Sequence, residues 1–186
     1  MTDLPINVCR VDTPEGPKDY VTCLSHEHVF QHGLPSEAII GVLLRPLESG
    51  EEINPSVFAR NRVFVEFMHS VIARRGPELP GLIAEAKRQG EGWVYVVDQR
   101  TPTPQGAVPP EDIVGAFEIK SGQVVRGAYR ASPNHMILSA NGFFRLGAEL
   151  QPCLLEELAA LTGTGKTGNS QPAGSAAEHI YGQDSQ

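Results

Sequence analysis

Proline and glycine interrupt the first third of this chain too often for any long regular segment to form there. Pro14, Gly16, Pro17, Gly33 and Pro35 separate three apolar bursts, Ile6 to Val11, Tyr20 to Leu24 and Ala38 to Leu47. A helix shorter than about 12–15 residues is marginal on its own, whereas a strand commonly needs only about 5–6. The bursts are rich in β-branched residues, which suit a pleated surface. Each is therefore expected to be a strand, with the breakers as turns.

The apolar period then lengthens. From Val57 to Arg75 the residues Phe64, Phe67, Met68, Val71 and Ile72 recur at helical spacing. Asn54 followed by Pro55 has the form of a helix N-cap and first turn, and Gly76-Pro77 that of a stop. A second helix is expected from Leu79 to Gln89, with Leu82, Ile83 and Ala86 inward and Gly90 just past its end.

Period two returns at Trp93-Val94-Tyr95-Val96-Val97. A Pro-rich loop, Thr101 to Pro110, leads to two further apolar runs, Ile113 to Ile119 and Gln123 to Tyr129. Lys120-Ser121-Gly122 joins them, which reads as a β-hairpin. Met136 to Leu138 suggests one more short strand. Pro152 to Leu161 suggests a last helix with Leu154, Leu155 and Leu158 on its stripe. This order predicts an α+β fold, a mostly antiparallel sheet with about three helices packed on it. Residues 1–162 are expected to form one domain. Gly163 to Gln186, poor in large apolar groups, is expected to be a flexible Gly/Ser-rich tail.

The chain carries 22 acids against 15 bases, a formal charge of −7. Duplex binding needs a cationic surface, so nucleic acid is an unfavoured partner. Arg60, Arg62, Arg74 and Arg75 are the one place where a basic patch could gather; the plainer expectation is a solvated helix edge. Met1-Thr2-Asp3 lacks the regions of a signal peptide, and no apolar run approaches the ~18–20 residues of a membrane span. Cys9, Cys23 and Cys153 are too few and oddly numbered for a disulfide framework. A soluble, cytoplasmic chain with reduced thiols is expected. Cys153, at the start of the last helix, is read as a buried structural thiol.

Chemistry is densest at Cys23-Leu24-Ser25-His26-Glu27-His28, with His32 four residues on. On a strand, His26 and His28 would project to one face, roughly 6.5–7 Å apart, close enough to share a metal ion. The string Ser25-His26-Glu27-His28 resembles the first-strand His-x-His of the amidohydrolase superfamily, the phosphotriesterase-like branch in particular. The resemblance implies a metal-dependent hydrolase on a TIM barrel, a fold of roughly 200–250 residues or more. It also implies a lysine, two further histidines and an aspartate on later strands. Here only His69, His135 and His179 remain, on a helix, a loop and the tail. A smaller site of His26, His28 and His32, holding a divalent metal such as zinc with one open position, is the form of this idea that the chain length permits.

Gly163-Thr164-Gly165-Lys166-Thr167 is similar to the end of a Walker A loop. Ala160 stands where its first glycine belongs, and no helix is expected to follow. The loop after Val97 is a better candidate. Asp98, Arg100 and Thr101 leave the strongest strand directly, and Asp98, Arg100, Asp112 and Glu118 are expected near one sheet edge. In the tail, Ala176-Ala177-Glu178-His179-Ile180-Tyr181 has the form of a tethered anchor, with Tyr181 its largest group. The sequence therefore favours a non-catalytic intracellular binding or accessory protein with a protein partner. It would act through a sheet surface and the Pro-rich loop. The alternative is a small metal-binding protein or metal-assisted hydrolase.

Overall fold

A computed structural model describes residues 3–102 and 106–163. Strands β1 (Asn7–Thr13) and β2 (Gly16–Thr22) form a hairpin in which Thr13 pairs with Gly16 and Asn7 with Thr22. Strand β3 (Ile39–Leu43) adds to β2, and β4 (Phe58–Arg60) to β3, giving an antiparallel sheet in chain order. Gly41 makes the last pairing possible. A Cβ there would lie 2.4 Å from the Phe58 ring and from the Ala59 carbonyl.

Between β2 and β3 the chain forms a helix, α1 (His26–His32), which corrects the expectation that His26 and His28 lie on a strand. Ser25 is the reason. Its side chain accepts a hydrogen bond from the His28 N–H, Glu27 sits in the positive first turn, and Gly33 at φ +84° ends the helix. The helix buries no residue, so it has no apolar stripe for the sequence to show.

Helix α2 (Arg62–Arg75) starts later than Asn54-Pro55 suggests. The Asn54 Oδ1 instead accepts from the Ser56 N–H and hydroxyl, closing a local turn. Phe58 to Arg60 then joins β3, and Asn61 provides the cap, accepting from the Val63 N–H. Phe64, Met68, Val71 and Ile72 face inward as expected. Helix α3 (Pro80–Gln89) ends at Gly90, φ +81°, whose N–H returns to the Ala86 carbonyl.

Strands β5 (Gly92–Val97), β6 (Ile113–Lys120) and β7 (Gln123–Ala131) form a second antiparallel sheet in the order β5-β6-β7. Ser121 and Gly122, at φ +50° and +71°, make the left-handed two-residue turn expected of the hairpin. A two-stranded ribbon, β8 (Leu138–Ser139) with β9 (Gly142–Phe143), and helix α4 (Leu150–Gly163) complete the described chain. The fold is mixed α+β with antiparallel sheets, as expected, but its strands are divided among three sheets.

One apolar core joins these pieces. It includes Val21 and Ile40 from the first sheet, Val114, Phe117 and Ile119 from the second, and Phe64, Met68, Leu154 and Leu158 from the helices. Burying a side chain such as Phe64 contributes about 1.5–3 kcal/mol. Among the described residues, no helix is long and apolar enough to cross a membrane. The tail calls, Tyr181, His179 and the Lys166 loop, fall outside the described residues.

Candidate functional site

Asp98, the first residue after β5, is 1% exposed and spends both carboxylate oxygens inside the protein. Its Oδ1 accepts from the backbone N–H groups of Arg100 (3.1 Å) and Arg145 (2.9 Å), and its Oδ2 accepts from His135 Nε2 (2.9 Å). The Arg100 guanidinium fans out beside it. Nε donates to Asp112 Oδ1 at 2.7 Å, Nη2 to the Glu111 carbonyl at 2.9 Å, and Nη1 to the Gly142 carbonyl at 3.2 Å. Charges in a low-dielectric interior persist only when paired and hydrogen-bonded in this way. Asp112 Oδ2 is buried and has no hydrogen-bond partner among the described residues.

The cluster is an anchor. It ties residues 98–100 to 111–112, to His135 and to the chain at 142–145, and so holds both ends of the Pro-rich loop. Asp98 and Arg100 were expected on a recognition surface, and their polar atoms are instead committed within the fold. Thr101, half-buried at the start of the loop, accepts at its hydroxyl from Asn141 Nδ2 at 3.2 Å. Glu118 lies elsewhere, paired with Lys120. Sequence spacing brought Asp98, Arg100 and Asp112 together; His135 and Arg145, far along the chain, gave no sequence signal.

A second, half-buried pair lies nearby. His69 Nδ1 and the Tyr129 hydroxyl share a 2.9 Å hydrogen bond. Burial, and secondarily His135, pushes the His69 imidazole down to about 4, so it is neutral at pH 7. Burial pushes the Tyr129 hydroxyl well above its ordinary value.

One surface with open hydrogen-bonding capacity is the outer side of β5, an edge strand of its sheet. Trp93 turns its carbonyl to that edge, where Gln89 Nε2 donates to it at 3.1 Å. Tyr95, two residues on and 61% exposed, presents its N–H and C=O to the same side. Beyond β5 the edge is taken up again, with the Gln99 N–H donating to the Arg145 carbonyl at 2.7 Å. The chain then turns away through Gly147 and Ala148 into α4. A groove of about 440 Å³ opens along β5, with Leu79 and Leu82 of the α3 side, Val94, Phe117 and Leu150 among its walls. Glu149 closes one end, its carboxylate accepting from the Gly81 N–H at 3.1 Å.

No family model matches the chain, and no curated protein or solved structure is detectably similar to it. Geometry alone bears on what it does.

The three candidate metal ligands sit on α1. His26 Nε2 donates to the Val8 carbonyl at 2.8 Å. His28 Nε2 contacts the Thr162 hydroxyl, which gives its own proton to the Ala159 carbonyl, so the imidazole is the donor in that contact. His28 and His32 are one turn apart, with ring centroids 4.9 Å apart. Among the described residues, no group of three or more His, Cys, Asp or Glu converges on a metal-sized space.

All three cysteines are free and buried, and burial pushes the Cys23 thiol up to about 12. The arginine patch disperses into ion pairs. Arg62 meets Glu66, while Arg74 and Arg75 both meet Glu157.

Proposed function

We propose that this chain is a non-catalytic binding or accessory protein that takes an extended segment of a partner polypeptide onto the edge of β5. The observation that carries the reading is the uncovered β5 edge at Tyr95, running beside an apolar groove. An incoming strand would find backbone N–H and C=O groups on the edge, and alternate side chains would enter the groove. Its volume falls in the ~300–1,000 Å³ range of ligand pockets. The Pro-rich loop, pinned at both ends, would flank the strand where it leaves β5, with Thr101 nearest. Tyr181 in the tail would serve as a second anchor. Buried reduced thiols suit a cytoplasmic protein.

The test uses the full chain, immobilised, and a library of random ten-residue peptides. Binders are expected to alternate apolar and polar residues and to slow hydrogen exchange at the Tyr95 amide. Leu82→Glu should abolish their binding while leaving the thermal unfolding midpoint near that of the native chain. Binders that leave the Tyr95 amide unprotected, or that ignore Leu82→Glu, would sink the reading.

A second reading, a divalent metal such as zinc on His28 and His32 with His26 nearby, is favoured by the one-turn spacing of the first two imidazoles. Elemental analysis of untagged protein decides it. About one equivalent that disappears in His32→Ala supports the site, and trace metal alone removes it.

A further inference from the structure

A cleft of about 450 Å³ lies between β4 and residues 133–138, and it shares no lining residue with the β5 groove. Its polar equipment is cationic. Arg60 is exposed at its wall and, unlike Arg62, Arg74 and Arg75, has no ion-pair or hydrogen-bond partner for its side chain among the described residues. No aspartate or glutamate lines the cleft, although the whole chain carries a charge of −7. Asn134 adds an amide, and Phe58 and the 43%-exposed Met136 add apolar surface.

The 133–138 wall is held from behind. His135 is fixed by Asp98, the Met136 N–H donates to the Glu111 carbonyl at 3.1 Å, and the Phe144 N–H donates to the Ile137 carbonyl at 2.8 Å. A cleft preformed in this way loses little entropy when a ligand enters. An unpaired guanidinium beside apolar surface matches one ligand chemistry, a planar or tetrahedral oxyanion carried on an apolar body.

We propose that this cleft binds a small organic anion, with its carboxylate or phosphate on Arg60 and its apolar body against Phe58 and Met136. The Asp98–His135 pair positions the wall, of which His135 is a lining residue. This site is independent of the peptide-binding reading of β5.

The test titrates the full chain with benzoate, phenyl phosphate, neutral benzamide and inorganic phosphate, observing the Met136 methyl by NMR. Benzoate or phenyl phosphate should shift that methyl at millimolar concentration, and benzamide should bind at least about tenfold more weakly, the loss expected for one charge-assisted contact. Whichever anion binds tighter identifies the head group. Arg60→Gln should weaken it by a similar factor, and Arg60→Lys by less. Equal binding of benzoate and benzamide, unchanged affinity in Arg60→Gln, or no methyl shift with any probe would each overturn the proposal. Inorganic phosphate binding as tightly as phenyl phosphate would also overturn it, showing simple ion pairing at the surface.

Discussion

Arg100 Nε lies 2.7 Å from Asp112 Oδ1, with both side chains only 2% exposed. Removing one partner of such a pair strands the other charge in the interior. Arg100→Ala is therefore expected to cost about 3–5 kcal/mol. Urea unfolding monitored by Trp93 fluorescence measures it, and a loss below about 1 kcal/mol would mean that water reaches the cluster.

His69 gives the fold a defined acid sensitivity. Its folded pKa of about 4 lies below the ordinary 6.5, so the unfolded chain binds the extra proton between those values. This contribution is fully present above pH 6.5 and is lost as pH falls toward 4, by roughly 1–3 kcal/mol. His69→Asn keeps a polar group near Tyr129 and should flatten that part of the profile. Urea midpoints at pH 7.5 and 4.5 in both proteins test it, and identical slopes would contradict it.

Gly115 leaves room for the Tyr129 hydroxyl. A Cβ at that position would lie 2.4 Å from the hydroxyl oxygen and 2.7 Å from the Arg130 carbonyl. Gly115→Ala should cost about 1–3 kcal/mol, as overpacking does. It should also displace the tyrosine from His69, moving the His69 ring signals in NMR. Native ring signals in a folded variant would place the hydroxyl elsewhere.

Ser25→Ala removes the cap of a helix with no buried side chain of its own. A cost of about 1 kcal/mol is expected, concentrated locally. The His28 and Val29 amides should exchange faster while those of α2 are unchanged. Ser25→Asp should restore protection. Uniform acceleration across the chain would show that α1 unfolds with the whole molecule.

The sequence made visible those elements whose local signals and tertiary contacts agree. The Ser121-Gly122 turn, the Gly90 stop and the inward stripe of α2 are of this kind. Asn54 and Asn61 show the opposite case. Both have the chemistry of a cap, and only the pairing of Phe58 to Arg60 with β3 decides between them. Helix α1 has no stripe to read because periodicity reports burial, and this helix fully buries no residue, with Val29 only partly buried against the core. The clefts escaped detection for a related reason. Arg60 and Met136 are far apart in sequence, and what marks Arg60 is the absence of a carboxylate beside it, which a linear reading cannot see.

One guanidinium grips both ends of the loop between Arg100 and Glu111: Arg100 starts it, and its Nη2 donates to the carbonyl of Glu111 near the other end. The two stems therefore stay together whatever the intervening chain does. Lengthening that stretch costs entropy that grows only logarithmically, about 0.6 kcal/mol per doubling. The segment is thus a socket for grafted sequence, where residues could be inserted or exchanged between fixed posts with the rest of the fold unchanged.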